Sequence, residues 1–280
     1  MLCTDCGMNT ASTGEGLCDA CAVTAPAAGP RPAPPASVAP PPPAPAGAAG
    51  PFLRSPVGLG RAVVALLCVV IVVDLFAVFA DVHMHRFARD VAAGHWEGPV
   101  SGAERADLLM AWAGRLQVLS LVATAVVFIV WLHRVRVNAA VFAPDVLTSG
   151  AGWAIGGWFV PVMNLWMPRR IARESWLAST HDPYGPPAKD QRATVLHVWW
   201  TLWLLTALLG RGAGMAYDKA DTFHEIVGAT QLLVVADAVS VAAALCAILV
   251  VRRLTAMQHA KAMRGPVPAV AEPMGSGHTQ

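Results

Sequence analysis

Charge is scarce in this chain. Asp, Glu, Lys and Arg supply only 14% of its 280 residues, while 55% are hydrophobic; a soluble domain carries about 25% charged side chains. That shortage excludes an ordinary water-soluble globular domain. Lys and Arg are missing altogether between Met1 and Pro30, a stretch that holds Asp5, Glu15 and Asp19. Nucleic-acid affinity is dominated by phosphate contacts from basic side chains, so nucleic acid is excluded as the partner of this end. No short apolar run follows a basic start; a cleavable signal peptide is therefore not expected, and the first membrane helix should act as an uncleaved signal-anchor. A phosphate loop, a nucleophile elbow and an HExxH motif are all lacking. With none of these the expectation is a protein that is not an enzyme.

What is present is apolar length. Four runs stand out: Arg61–Ala80, Leu116–Leu132, Thr194–Gly210 and Gly228–Val251. At about 1.5 Å per residue, the hydrocarbon core of a bilayer requires roughly 17–25 residues of helix. All four runs qualify, the second and third only just. The expected fold class is all-α: a polytopic membrane bundle of four transmembrane helices over residues 58–255. A fifth stretch, Gly152–Met167, is apolar but broken by Gly156, Gly157, Pro161 and Asn164, with Pro168 immediately after it. Helix-breaking residues at membrane depth require protein or water to satisfy the freed backbone groups. Residues 152–168 are therefore expected to form a re-entrant or interfacial helical hairpin.

The basic residues fix the orientation. With four spans and the N-terminus inside, cytoplasmic segments hold 14 Lys and Arg and the outer segments 6. Making Gly152–Met167 a fifth span would reverse the balance to 7 inside and 13 outside. The positive-inside rule selects four spans, with both termini cytoplasmic; the heavy use of Ala, Val, Gly, Pro and Arg suggests a bacterial genome, and so a bacterial plasma membrane is expected. Eight of the ten tryptophans then fall in or near the cytoplasmic half, Trp153, Trp158 and Trp166 among them. Together with Arg134, Arg136, Arg169, Arg170 and Arg173 they outline an aromatic, basic cytoplasmic shelf around the hairpin. Cys68 and Cys246 lie inside spans and read as packing residues.

Ahead of the bundle, residues 1–23 carry Cys3-x2-Cys6 and Cys18-x2-Cys21. Paired CxxC knuckles supply four thiolates for a tetrahedral site, so one structural zinc ion in a small ribbon is expected. Two disulfides or redox-active pairs are the alternatives, and the cytoplasmic placement argues against disulfides. Residues 24–57 form a Pro/Ala-rich linker with eleven prolines between Thr24 and Pro51, a semi-rigid tether of polyproline type. Residues 256–280 read as a disordered cytoplasmic tail.

The runs WLHRVRVNA at Trp131–Ala139, GWAIGGWFVPVMNLWMP at Gly152–Pro168, SW at Ser175–Trp176 and VWWTLWLL at Val198–Leu205 resemble a bacterial membrane family catalogued as domain of unknown function 4328. The resemblance covers about Arg61 to Arg253. Its family-motif positions here are His133, Arg134, Asn138, Trp158, Phe159, Pro161, Asn164 and Pro168. It implies a small multi-pass helical protein, frequent in actinobacteria, and no activity; the cysteine unit and tether stand outside it as additions.

Two intramembrane acids are the candidate chemistry. Asp74 lies roughly 9–10 Å from the outer end of the first span and Asp237 roughly 13 Å from that of the fourth. These antiparallel helices could set them face to face, to share a proton or hold a cation as in a transporter or relay. Alternatively, neighbours such as Arg115, Gln117 or Arg211 satisfy each acid. His133 with His197, and His83 with His85 and His224, lack a spacing diagnostic of haem, which is disfavoured. Three functions follow in order: a non-enzymatic scaffold or sensor recruiting a cytoplasmic protein partner through the zinc unit, a small transporter or proton/ion pathway, and a membrane redox or lipid-modifying enzyme. The bilayer is a partner in each, and the oligomeric state is left open.

Overall fold

The computed structural model describes residues 1–12, 14, 16–24, 53–96, 101–185 and 193–264. Nearly all of the Pro/Ala-rich linker and the last part of the tail lie outside these residues. The chain divides into two units, Met1–Ala49 and Gly50–Gln280.

In the first unit, Leu2 and Thr10 form an isolated antiparallel bridge, and α1 (Asp19–Thr24) carries Cys21. Gly7 and Gly16 adopt φ of 65° and 79°, a left-handed conformation open to glycine at little cost. These two residues turn the chain so that each CxxC pair folds back on the other.

The second unit is helical: α2 (Val57–Ala92), α3 (Ser101–Phe142), α4 (Trp153–Gly156), α5 (Met167–Ser179), α6 (Thr194–Asp218) and α7 (Phe223–Arg264). α2, α3 from Gly102, and α7 are long and apolar enough to cross a membrane. α6 has 25 residues, and its apolar run is diluted by Trp199, Trp200, Trp203 and His197. The long helices outrun the apolar segments that predict them. α2 begins just after Pro56 and ends where Gly94, at φ 71°, donates back to Val91, a glycine C-terminal stop. α7 is opened by a capping box: the Glu225 N–H donates to Thr222 Oγ1 at 3.3 Å and the Thr222 N–H to Glu225 Oε2 at 3.0 Å. It runs on to Arg264, so residues 256–264 are helical and not part of a disordered tail.

The packed neighbours are α3 with α2, α2 with α7, and α7 with α6. α3 and α6, at the two ends of this row, do not form a packed pair, which leaves a seam between them. At one end of the bundle the seam is closed by aromatic rings. Phe128 of α3 stands 5.6 Å from Trp199 of α6, and Trp158 lies 5.8 Å from Phe128 and 5.7 Å from Trp203. Gly152–Met167 is not one helix: α4 gives way to turns and to a 3-10 turn at Met163–Leu165. The Leu165 carbonyl accepts from Trp200 Nε1 at 3.2 Å. α5 starts at Met167–Pro168, where proline's missing N–H costs nothing, and buries Ile171 and Trp176 completely.

Candidate functional site

α2, α3 and α7 meet over a polar cluster inside an otherwise apolar bundle. Asp74 (4% exposed) and Asp237 (9%) come together through Gln117 of α3. Its Nε2 donates to Asp237 Oδ1 at 2.9 Å and to Asp74 Oδ1 at 3.3 Å. Ser240 lies within hydrogen-bonding reach of Asp74. A third acid, Asp81 (3% exposed), lies within hydrogen-bonding reach of Asp237. Asp74 and Asp81 are seven residues apart, two helical turns, and so share one face of α2. The oxygens Asp74 Oδ2 and Asp81 Oδ2 are buried and accept no hydrogen bond. Buried polar atoms are rarely left so. Beside the cluster lies a cavity of about 410 Å³, lined by Asp81, Gln117 and Asp237 and, toward the α2–α3 and α6–α7 loops, by Asp107 and Tyr217.

The sequence expectation places Asp74 and Asp237 at matching depth, and the structure joins them through a single amide. Asp81 is missed because the first apolar run closes at Ala80, and its seven-residue spacing from Asp74 is the signal that reveals it. Arg115 stacks over Trp112 at 5.6 Å and is not among the partners of the cluster.

At the opposite end, the family-motif residues build a clamp. Asn138 pairs with the Arg54 backbone, receiving its N–H at 3.1 Å and donating to its carbonyl at 2.8 Å. Asn138 also donates to Gln258 Oε1 at 3.1 Å, and Gln258 Nε2 donates to the Val135 carbonyl at 2.9 Å. Trp131 Nε1 donates to Thr255 Oγ1 at 3.1 Å. These bonds tie the start of α2, the end of α3 and the end of α7 together. Arg134 donates to the Ser55 carbonyl. Half-buried His133 sits beside it on α3. Pro168 is buried, Pro161 and Phe159 are exposed, and Asn164 Oδ1 is buried without a hydrogen bond.

The expected basic shelf is corrected at one position. Arg136 is 3% exposed, donates to the Ser149 carbonyl and lies 4.0 Å from Glu174. Glu174 also accepts from Arg170 Nε at 3.1 Å and from the Thr148 hydroxyl. A buried guanidinium needs such a partner, so Arg136 braces α5 against α3 and is no surface charge. His197 accepts from Arg169, and His85 lies 3.1 Å from Thr230 Oγ1. Cys68 is exposed and turns away from the bundle, where packing was expected of it.

In the N-terminal unit, the sulfurs of Cys3, Cys6, Cys18 and Cys21 all lie within 4.8 Å of one another. Cys6 Sγ and Cys18 Sγ are 3.8 Å apart, the edge of a tetrahedron whose metal–sulfur radius is about 2.3 Å. The Cys18 N–H points at Cys3 Sγ at 3.2 Å. The backbone N–H groups of Cys6, Asp5 and Cys18 hold the Cys3 thiol down at about 6. Those of Met8 and Asn9 lower the Cys6 thiol. The crowding of sulfurs, Cys18 first, pushes Cys21 up to about 12. Converging N–H donors and four adjacent sulfurs that resist full ionisation form a site that a bound cation would complete.

Comparison with known proteins adds a family and no activity. No curated protein and no solved structure matches the chain. The family model described as Domain of unknown function (DUF4328) matches residues 100–256, from the start of α3 into the last turns of α7. That is a narrower reach than the resemblance implied, for it leaves α2 and Asp74 outside. The match spans more than half of the chain and includes Asn138, Trp158 and Gln117, and the chain belongs to this family of unknown function.

Proposed function

We propose that this is a four-span membrane protein that takes protons or a small cation into the cluster of Asp74, Asp81, Asp237 and Gln117, as a small transporter or ion pathway. One observation carries the reading: two buried carboxyls from two helices share one amide, a third reaches Asp237, and Asp74 Oδ2 and Asp81 Oδ2 are left without partners, Asp81 at the wall of a cavity. Acids at membrane depth are expensive and mark proton or ion routes. Two carboxyls in contact favour sharing a proton or a cation over both standing charged. In the four-span topology α6 is the third crossing, the segment 152–168 stays on the cytoplasmic side, and both termini are cytoplasmic. The cavity then opens from the cluster toward the outer face. The test is proton or sodium flux into liposomes holding the purified full chain. Asp74→Asn and Asp237→Asn should each abolish a flux that the wild type supports; wild-type liposomes no leakier than empty ones would sink the proposal.

A second reading rests on the four convergent cysteines. They would hold one structural zinc ion, which would supply most of the folding free energy of so small a unit. The unit would then serve as a cytoplasmic docking module on a proline-rich arm, making the protein a non-enzymatic scaffold or sensor. Proximity labelling with and without residues 1–24 tests this: a partner set unchanged by the deletion removes it.

A further inference from the structure

Between the polar cluster and the aromatic end of the bundle lies a second cavity, of about 390 Å³. α2, α3, α6 and α7 all contribute to it, and Trp158 closes it. Its walls are apolar, with Phe128, Trp199 and Trp203 on one side and the small residues Ala243, Ala244 and Ala247 of α7 on the other. Small side chains on α7 make the space, and the unpaired α3–α6 seam gives it a flank without helix-to-helix packing. Two polar atoms among its lining residues, Trp158 Nε1 and Thr206 Oγ1, are buried and without a hydrogen-bond partner. The lack at Thr206 is telling, because a helical threonine ordinarily bonds the carbonyl one turn back.

We propose that this cavity is a binding site for an apolar molecule dissolved in the bilayer and carrying a carbonyl oxygen, which accepts from Trp158 Nε1 and Thr206 Oγ1. The volume falls in the range of small-molecule sites, which are mostly apolar with a few placed polar groups. The indole N–H can only donate and the threonine hydroxyl can donate, so an acceptor is the partner that serves both. Of the other hydroxyls in the walls, Thr124 already donates to the Ser120 carbonyl and Ser240 faces Asp74, which leaves the two orphans as the groups that a ligand would satisfy. The flanking aromatic rings suit a flat ring or a stretched chain, and the seam between α3 and α6 lets either arrive from the side. Carbonyl chemistry of this kind is offered by a quinone or by the ester of a diacyl lipid. Nothing in this site depends on ion transport.

The purified full chain in detergent is titrated with two probes: a naphthoquinone with a short isoprenyl tail, and a phosphatidylglycerol brominated on its acyl chains. Saturable quenching of tryptophan fluorescence by either probe is the expected result, and the one that saturates identifies the source. Ala247→Phe fills the space and should abolish saturation. Thr206→Val keeps the shape and loses one donor, Trp158→Phe loses the other donor together with part of the ring, and each should weaken binding about tenfold or more. Quenching that stays linear for both probes overturns the proposal. So does an affinity unchanged in Trp158→Phe and Thr206→Val, a comparison that stands even if Ala247→Phe fails to fold.

Discussion

Gln117→Leu is the sharpest probe of the polar cluster. It keeps the bulk of the side chain and removes the one amide that serves both Asp237 and Asp74, at 2.9 and 3.3 Å. Hydrogen bonds to charged groups in water-soluble proteins are worth about 1.5–3 kcal/mol. Interhelical bonds in membranes average about 0.6 and reach about 1.7 kcal/mol, because the unfolded chain in its apolar solvent also finds partners. The second scale applies here. Setting the shorter bond near the upper value and the longer near the mean gives a loss of about 2 kcal/mol. For a helical unit of this size, that corresponds to a melting temperature lower by about 4–8 °C. The assay is thermal unfolding of the full chain in detergent, followed by intrinsic fluorescence at several scan rates. A cycle with Asp237→Leu isolates the pair, and a coupling of about 1 kcal/mol is expected for residues in direct contact. Additivity of the two single substitutions would refute the bridge and, with it, the convergence of α2, α3 and α7 on one polar site.

Gly60→Ala would set a methyl group 2.8 Å from Thr255 Oγ1, displacing the hydroxyl that accepts from buried Trp131; a loss of about 1–3 kcal/mol in the same unfolding assay is expected, and a neutral result would mean that α2 and α7 are not so closely packed. Metal analysis of the full chain should return one zinc per chain, and Cys3→Ser should lower that value. Because the ligands are thiolates, and Cys21 is held up at about 12, zinc binding must expel protons, so affinity should fall from pH 8 to pH 6; a competitive chelator titration at each pH checks the sign. With all six native cysteines replaced by serine, Tyr184→Cys should react with a membrane-impermeant maleimide from the cytoplasmic side only and Lys219→Cys from the opposite side only; labelling of both from one side would overturn the four-span topology.

Where the helices lie was legible because membrane helices are written in local composition. Their lengths were not, since capping decides them: Gly94 stops α2 and the Thr222–Glu225 box starts α7, both outside the apolar runs. The broken segment 152–168 was legible as something other than a span, through its glycines, its prolines and the charges around it. Its task was hidden. Placing Trp158 against Phe128 and Trp203 depends on α3 and α6, which are some seventy residues apart in sequence.

By itself, then, the sequence determined the apolar spans, the balance of basic residues across them, the paired cysteines and two buried acids, because each is a property of residue type and near-neighbour spacing. Only the tertiary structure decided that one amide would serve Asp74 and Asp237 together, that Asp81 would join them, and that Arg136 would turn inward to Glu174. Only it left Trp158 Nε1 and Thr206 Oγ1 buried without hydrogen-bond partners. The physical reason is common to all four: burying a charge or a hydrogen-bonding group costs free energy according to which partners reach it, and those partners come from other helices.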